Sequence, residues 1–64
     1  MITINGTTIP EKEISLLTYL KEHNLRPERI AIERNGFIVP RKTYENVTFV
    51  DGDSIEIVHF VGGG

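Results

Sequence analysis

The 64-residue sequence predicts an α+β fold: one mixed sheet with a single main helix packed across one face, ending in a short glycine tail. Three observations predict it. Only one stretch, around Leu16, Leu17 and Leu20, carries helical spacing. Short alternating runs lie before and after it. Asn35-Gly36 stands between two of the later runs, where a tight hairpin needs two residues that accept positive φ.

Taken in order, Met1 to Asn5 alternates with Ile2 and Ile4 on one face, and Gly6 followed by Thr7-Thr8-Ile9 reads as a turn and a returning strand. Ser15 precedes Leu16 to His23 and is placed to cap the free N–H groups of that helix, with Ile14 and Tyr19 at the positions of a hydrophobic staple. Asn24 is suited to end the helix in a left-handed conformation, after which Leu25 folds back. Arg26 to Arg29 is a connecting loop. Ile30 to Arg34 and Phe37 to Val39 form the hairpin around Asn35-Gly36, and Pro40 closes it because it cannot donate to a ladder. Asp51-Gly52-Asp53 marks a further turn between Val47–Val50 and Ser54–His59.

A lone helix crossing between an early and a later hairpin is most economically laid over one face of a single mixed sheet. That is the β-grasp, or ubiquitin-like, arrangement. Its expected inward set is Ile2, Ile4, Leu16, Leu17, Leu20, Ile30 or Ile32, Ile55 and Ile57. The expected organisation is one domain over residues 1–61 followed by a flexible tail at 62–64.

Composition excludes several functions. A chain this short buries only about 60% of its unfolded surface, which leaves little material for a walled catalytic site, and no Ser/His/Asp set or phosphate loop is present. Nine acidic against seven basic side chains, a net charge of −2, give no basic footprint for nucleic acid. With no cysteine there is neither a disulfide nor a thiolate nucleophile. His23 and His59 lack further ligands at metal spacing and read as solvent-facing rings, and Asp51 with Asp53 lacks the ligand set of a calcium loop. No metal site and no bound cofactor are expected. No run reaches the length of about 20 apolar residues that spans a bilayer, and no signal peptide is visible. The expectation is a soluble, cytoplasmic protein.

The last strand carries the functional signal. With Ile55 and Ile57 turned to the helix, alternation turns Val58 and Phe60 to the opposite face, just before Val61 and the glycines. A small apolar patch beside Gly62-Gly63-Gly64 reads as a docking surface next to a thin handle. Glycine is the costliest residue to order and packs against nothing, so the tail is expected to serve a partner rather than the fold.

Asn35-Gly36, Val39-Pro40-Arg41 followed by Tyr44, Asp51-Gly52-Asp53, the strand Ile55-Glu56-Ile57-Val58 and the ending Phe60-Val61-Gly62-Gly63-Gly64 together resemble the ThiS family, the small sulfur carriers of thiamine biosynthesis. The resemblance implies that the Gly64 carboxylate is adenylated with ATP by an enzyme of the ubiquitin-activating (ThiF) type. It further implies conversion to a thiocarboxylate with sulfur from cysteine, and donation of that sulfur to thiazole synthase (the ThiG type). The chain would then be a co-substrate and not an enzyme, with ATP consumed by its activating partner. Gly64 is the residue that would be modified, Gly63 and Gly62 form the tail, and Val58, Phe60, Val61 and Arg41 are the candidates for partner contact. Two other classes share the pattern: a molybdopterin-synthase small subunit or ubiquitin-like modifier activated in the same way, and an interaction module with an inert tail.

Overall fold

In the computed structural model, which describes residues 1–60, strand β1 (Ile2–Ile4) buries both isoleucines and pairs antiparallel with β2 (Thr7–Ile9). Asn5 and Gly6 take φ of 51° and 82°, the left-handed pair that lets a two-residue turn match the twist of its strands.

Strand β3 (Glu13–Ser15) runs directly into helix α1 (Leu16–Glu22). Ser15 caps it as expected, its Oγ accepting the Thr18 N–H at 3.0 Å. At the other end Asn24 has φ 56°, the Leu25 N–H donates to the Leu20 carbonyl at 2.8 Å and the Asn24 N–H to that of Lys21 at 3.3 Å. These paired bonds satisfy carbonyls the helix leaves free and return Leu25 to the core. Leu16 and Leu20 are buried, but Leu17 is 40% exposed and leaves the expected core. The seven residues of α1 make two turns at most. Such a helix offers one inward stripe, and Leu17 lies about 100° around from Leu16.

After a single 3₁₀ turn at Pro27–Arg29, strand β4 (Ile30–Arg34) meets β5 (Phe37–Ile38) across Asn35-Gly36, both with positive φ. A 3₁₀ segment, Arg41–Asn46, then leads to β6 (Thr48–Val50), and β7 (Ser54–His59) closes the described chain apart from Phe60. The main sheet has the order β2-β1-β7-β4-β5, with β7 parallel to β1 and antiparallel to β4. The last strand is therefore the central one. Ile30 and Ile32 share its inner face and both are fully buried, so the register left open between them admits both.

Two features differ from the sequence reading. The turn at Asp51-Gly52-Asp53 forms, with the Asp53 N–H bonded to the Val50 carbonyl at 3.0 Å. The strands it joins do not pair, because β6 instead forms a two-stranded ribbon with β3. The core also includes Ile14, Val39, Tyr44 and Phe49, none of which lies on a run long enough to show periodicity.

Candidate functional site

The candidate site is where the central strand leaves the sheet. Beyond His59, the Phe60 N–H donates to the Arg29 carbonyl at 2.9 Å, extending the β4–β7 pairing past Ile30↔His59. The backbone that receives it is fixed from the other side by Arg41. Its Nε donates to the Pro27 carbonyl at 3.0 Å and its Nη2 to that of Ile30 at 3.3 Å. Arg41, a candidate for partner contact, is exposed but spends donors on the segment that anchors the exit. Tyr44, buried one turn later, has its hydroxyl pKa raised by burial, an effect that the Arg41 charge partly offsets.

Val58 and Phe60 are where alternation puts them. They are 56% and 54% exposed, on the sheet face away from the helix. Cross-strand pairing extends that face: Val58 stands opposite Ala31, Glu56 opposite Glu33, and Glu33 opposite Ile38, which is 64% exposed. Ile38 was not singled out from the sequence, because its exposure follows from pairing to Glu33, a tertiary fact. Val61, Gly62, Gly63 and Gly64 lie outside the described residues, and with them the expected site of modification.

Further back along β7, side chains of two turns clamp the strand in place. Asn5 Oδ1 accepts the Ile57 N–H at 2.7 Å and its Nδ2 donates to the Ile57 carbonyl at 3.1 Å, so a side chain continues the β1–β7 ladder past the end of β1. On the opposite flank, Asn35 Oδ1 accepts the Ser54 N–H at 2.9 Å and Asn35 Nδ2 donates to Asp53 at 3.0 Å.

Asp53 turns inward and is buried, accepting also from the Val50 N–H at 2.9 Å and pairing with Arg34 at 2.8 Å. Burial pushes its pKa up, but the Val50, Asn35 and Arg34 donors together with the Arg34 charge outweigh it and leave the pKa lowered. Asp51 pairs with the Met1 amino group. The two carboxylates therefore serve the turn.

His23 stacks on Tyr19 with ring centroids 4.1 Å apart, and its Nδ1–H donates to the Tyr19 carbonyl. Among the described residues no group of three or more His, Cys, Asp or Glu side chains is placed to hold a metal ion. No helix among them is long and apolar enough to cross a membrane.

A mixed five-stranded sheet with one main helix over one face, and the final strand at its centre, defines the ubiquitin-like β-grasp class. The chain superimposes on the crystal structure of the thiamine biosynthesis protein ThiS from Geobacter metallireducens with a TM-score of 0.75 and 28% identity, covering 98% of this chain and 97% of that one. It is 36% identical over 66 aligned positions to the sulfur carrier protein ThiS of Bacillus subtilis, spanning the full length of both. A stretch of 38 residues, 59% of this chain, is 53% identical to the thiazole synthase of Magnetococcus marinus but makes up only 12% of that protein. The family model ThiS matches residues 1–64, and the chain belongs to the ThiS family.

Proposed function

We propose that this chain is a sulfur carrier of thiamine biosynthesis whose working group is the Gly64 carboxylate. The observation that carries this reading is the full-length match to the B. subtilis carrier, which runs through the glycine tail. The fold is consistent with it. The central strand delivers Phe60, held to the Arg29 carbonyl, to the edge of an exposed apolar face, so a tail continuing from there starts from a fixed point.

The chemistry follows from what a carboxylate lacks. Its oxygen is a poor leaving group, so a sulfur nucleophile cannot displace it directly. The Gly64 carboxylate attacks the α-phosphorus of ATP on an adenylating enzyme, pyrophosphate leaves, and the carbonyl becomes electrophilic as an acyl-adenylate. A sulfur nucleophile derived from cysteine then displaces AMP, leaving a terminal thiocarboxylate. Thiazole synthase receives the sulfur. Similarity to a segment of proteins named thiazole synthase supports that acceptor. In this reading the chain is a protein co-substrate that binds no cofactor of its own, with ATP consumed by the activating partner. Glycines without Cβ atoms can enter a narrow channel, which is what delivery of a C-terminal group into an ATP site requires.

The test is the intact mass of the chain after incubation with ATP, a cysteine-derived sulfur source and the adenylating enzyme. The expected result is a gain equal to one oxygen-to-sulfur exchange, localised to Gly64. An unchanged mass with an enzyme active on another carrier refutes the proposal.

A further inference from the structure

Both two-residue turns of the main sheet are Asn-Gly, and both asparagines reach to the same strand. The Asn5 N–H donates to the Ile55 carbonyl at 2.8 Å while its side chain brackets Ile57. The Asn35 N–H donates to the Ser54 carbonyl at 2.8 Å, its Oδ1 takes the Ser54 N–H, and its Nδ2 reaches Asp53 Oδ1. Two carboxamides thus hold β7, one from each flank. The residue after each carries no side chain to shield its own backbone nitrogen, and nothing lies within 4 Å of where a Cβ on Gly6 or Gly36 would stand. Crowding therefore protects neither amide from attack by that nitrogen.

We infer that Asn5 and Asn35 are sites of spontaneous deamidation gated by their grip on β7, and that deamidation at Asn35 prevents that grip from re-forming. In the reaction the glycine nitrogen attacks the asparagine Cγ and gives up its proton, and ammonia leaves as a cyclic imide closes. Water then opens either carbonyl of the imide, leaving aspartate or isoaspartate. One water is consumed and one ammonia released, with no change of oxidation state. Ring closure requires Cγ to turn back over the following nitrogen, whereas in the fold each carboxamide points across to its partners with both oxygen and nitrogen engaged. Those bonds must break first, so the rate follows local opening of the turn. One of the two side-chain bonds of Asn35 is exposed while both of those of Asn5 are partly buried, which makes Asn35 the faster site. Its product differs at the atom that faces Asp53. The Nδ2 donor becomes a carboxylate oxygen, so a like-charge contact replaces a hydrogen bond. The left-handed backbone at position 35 accepts aspartate, so for that product the penalty is the charge contact and not the turn. Isoaspartate adds a methylene to the main chain and breaks the geometry of the two-residue turn. The strand left loose is the one that carries Phe60 to the exit.

The test incubates the full-length chain at mildly alkaline pH, native and in guanidinium chloride, and follows each site by peptide mapping for the mass change from amide to acid. Both sites are expected to react at least about tenfold more slowly in the native chain than in the denatured one, with Asn35 ahead of Asn5 in the native chain. The D53A variant removes the acceptor of Asn35 Nδ2 and is expected to raise the rate at Asn35 several-fold relative to that at Asn5. The L20A variant weakens the whole fold and is expected to speed both sites without raising that ratio, which separates release of one grip from general unfolding. N35D, the aspartate product made directly, is expected to melt several degrees below the parent near neutral pH. Equal rates in the native and denatured chains, Asn5 outpacing Asn35 in the native chain, an unchanged ratio in D53A, or N35D melting with the parent overturns the inference.

Discussion

At the scale of single residues, Asp53 does more than its sequence context suggests. One carboxylate holds the Val50 N–H, the Asn35 amide and the Arg34 guanidinium, tying the turn before β7 to the hairpin of β4 and β5. Removing it in Asp53→Ala leaves those donors without their partner, with an expected loss of roughly 1–3 kcal/mol in denaturant melts. The loss depends on pH in a set direction. The folded-state pKa is lowered, so the unfolded chain takes up the proton first. The stability Asp53 contributes is therefore complete above the unfolded value, about pH 4, and disappears as pH falls through the folded one. Melts of parent and variant between pH 2 and 7 are expected to differ by a constant amount near neutrality and to converge at the acid end. A gap that persists at the acid end would assign the effect to packing instead of charge. Nothing in Asp51-Gly52-Asp53 announces which of its two carboxylates turns inward, because the side-chain partners of Asp53 come from a hairpin 18 and 19 residues away.

Among elements, α1 shows what local sequence specifies and where it stops. Its beginning at Ser15 and its end at Asn24 are set by interactions within a few residues, and both were legible. At Asn24 the left-handed backbone allows a sharp comparison. Asn24→Gly is expected to change stability by less than about 0.5 kcal/mol, while Asn24→Ala, which keeps a Cβ and loses the side-chain amide, costs about 1 kcal/mol. Leu20→Ala, at a fully packed site, costs roughly 2–5 kcal/mol. Equal midpoints for the Gly and Ala variants at position 24 would contradict the cap. Which leucines face inward was less legible, since Leu17 fits a helical stripe as well as Leu20 does until the sheet fixes the rotation of so short a helix. The pairing of β6 with β3 was hidden for a related reason. Three-residue strands carry almost no pattern, and Phe49 pairs with Ile14 and stands edge-on to Tyr19 of the helix, both remote from it in sequence.

Across the whole molecule, fold and proposed chemistry occupy different parts of one chain. Every buried apolar residue of the described core lies between Ile2 and Ile57, while the group proposed to carry sulfur is Gly64. The core residues can be read as structure from their periodicity or their partners. The functional reading of the glycines comes from their composition, which offers no side chain to pack, and from the family resemblance. The sheet order explains how the two parts meet: β7 is clamped by β1 on one side and β4 on the other, so the chain leaves from the most constrained strand of the sheet. Deleting Gly63 and Gly64 separates the two roles. The truncated chain is expected to melt within about 0.5 kcal/mol of the parent, as surface changes away from packed features do. It is also expected to support no ATP–pyrophosphate exchange by the adenylating enzyme, having lost the carboxylate position proposed to react there. Asp53→Ala is expected to give the opposite pattern, with lowered stability and exchange retained at temperatures where it remains folded. Exchange that survives the truncation would move the reacting carboxylate away from Gly64 and leave the tail without a chemical role.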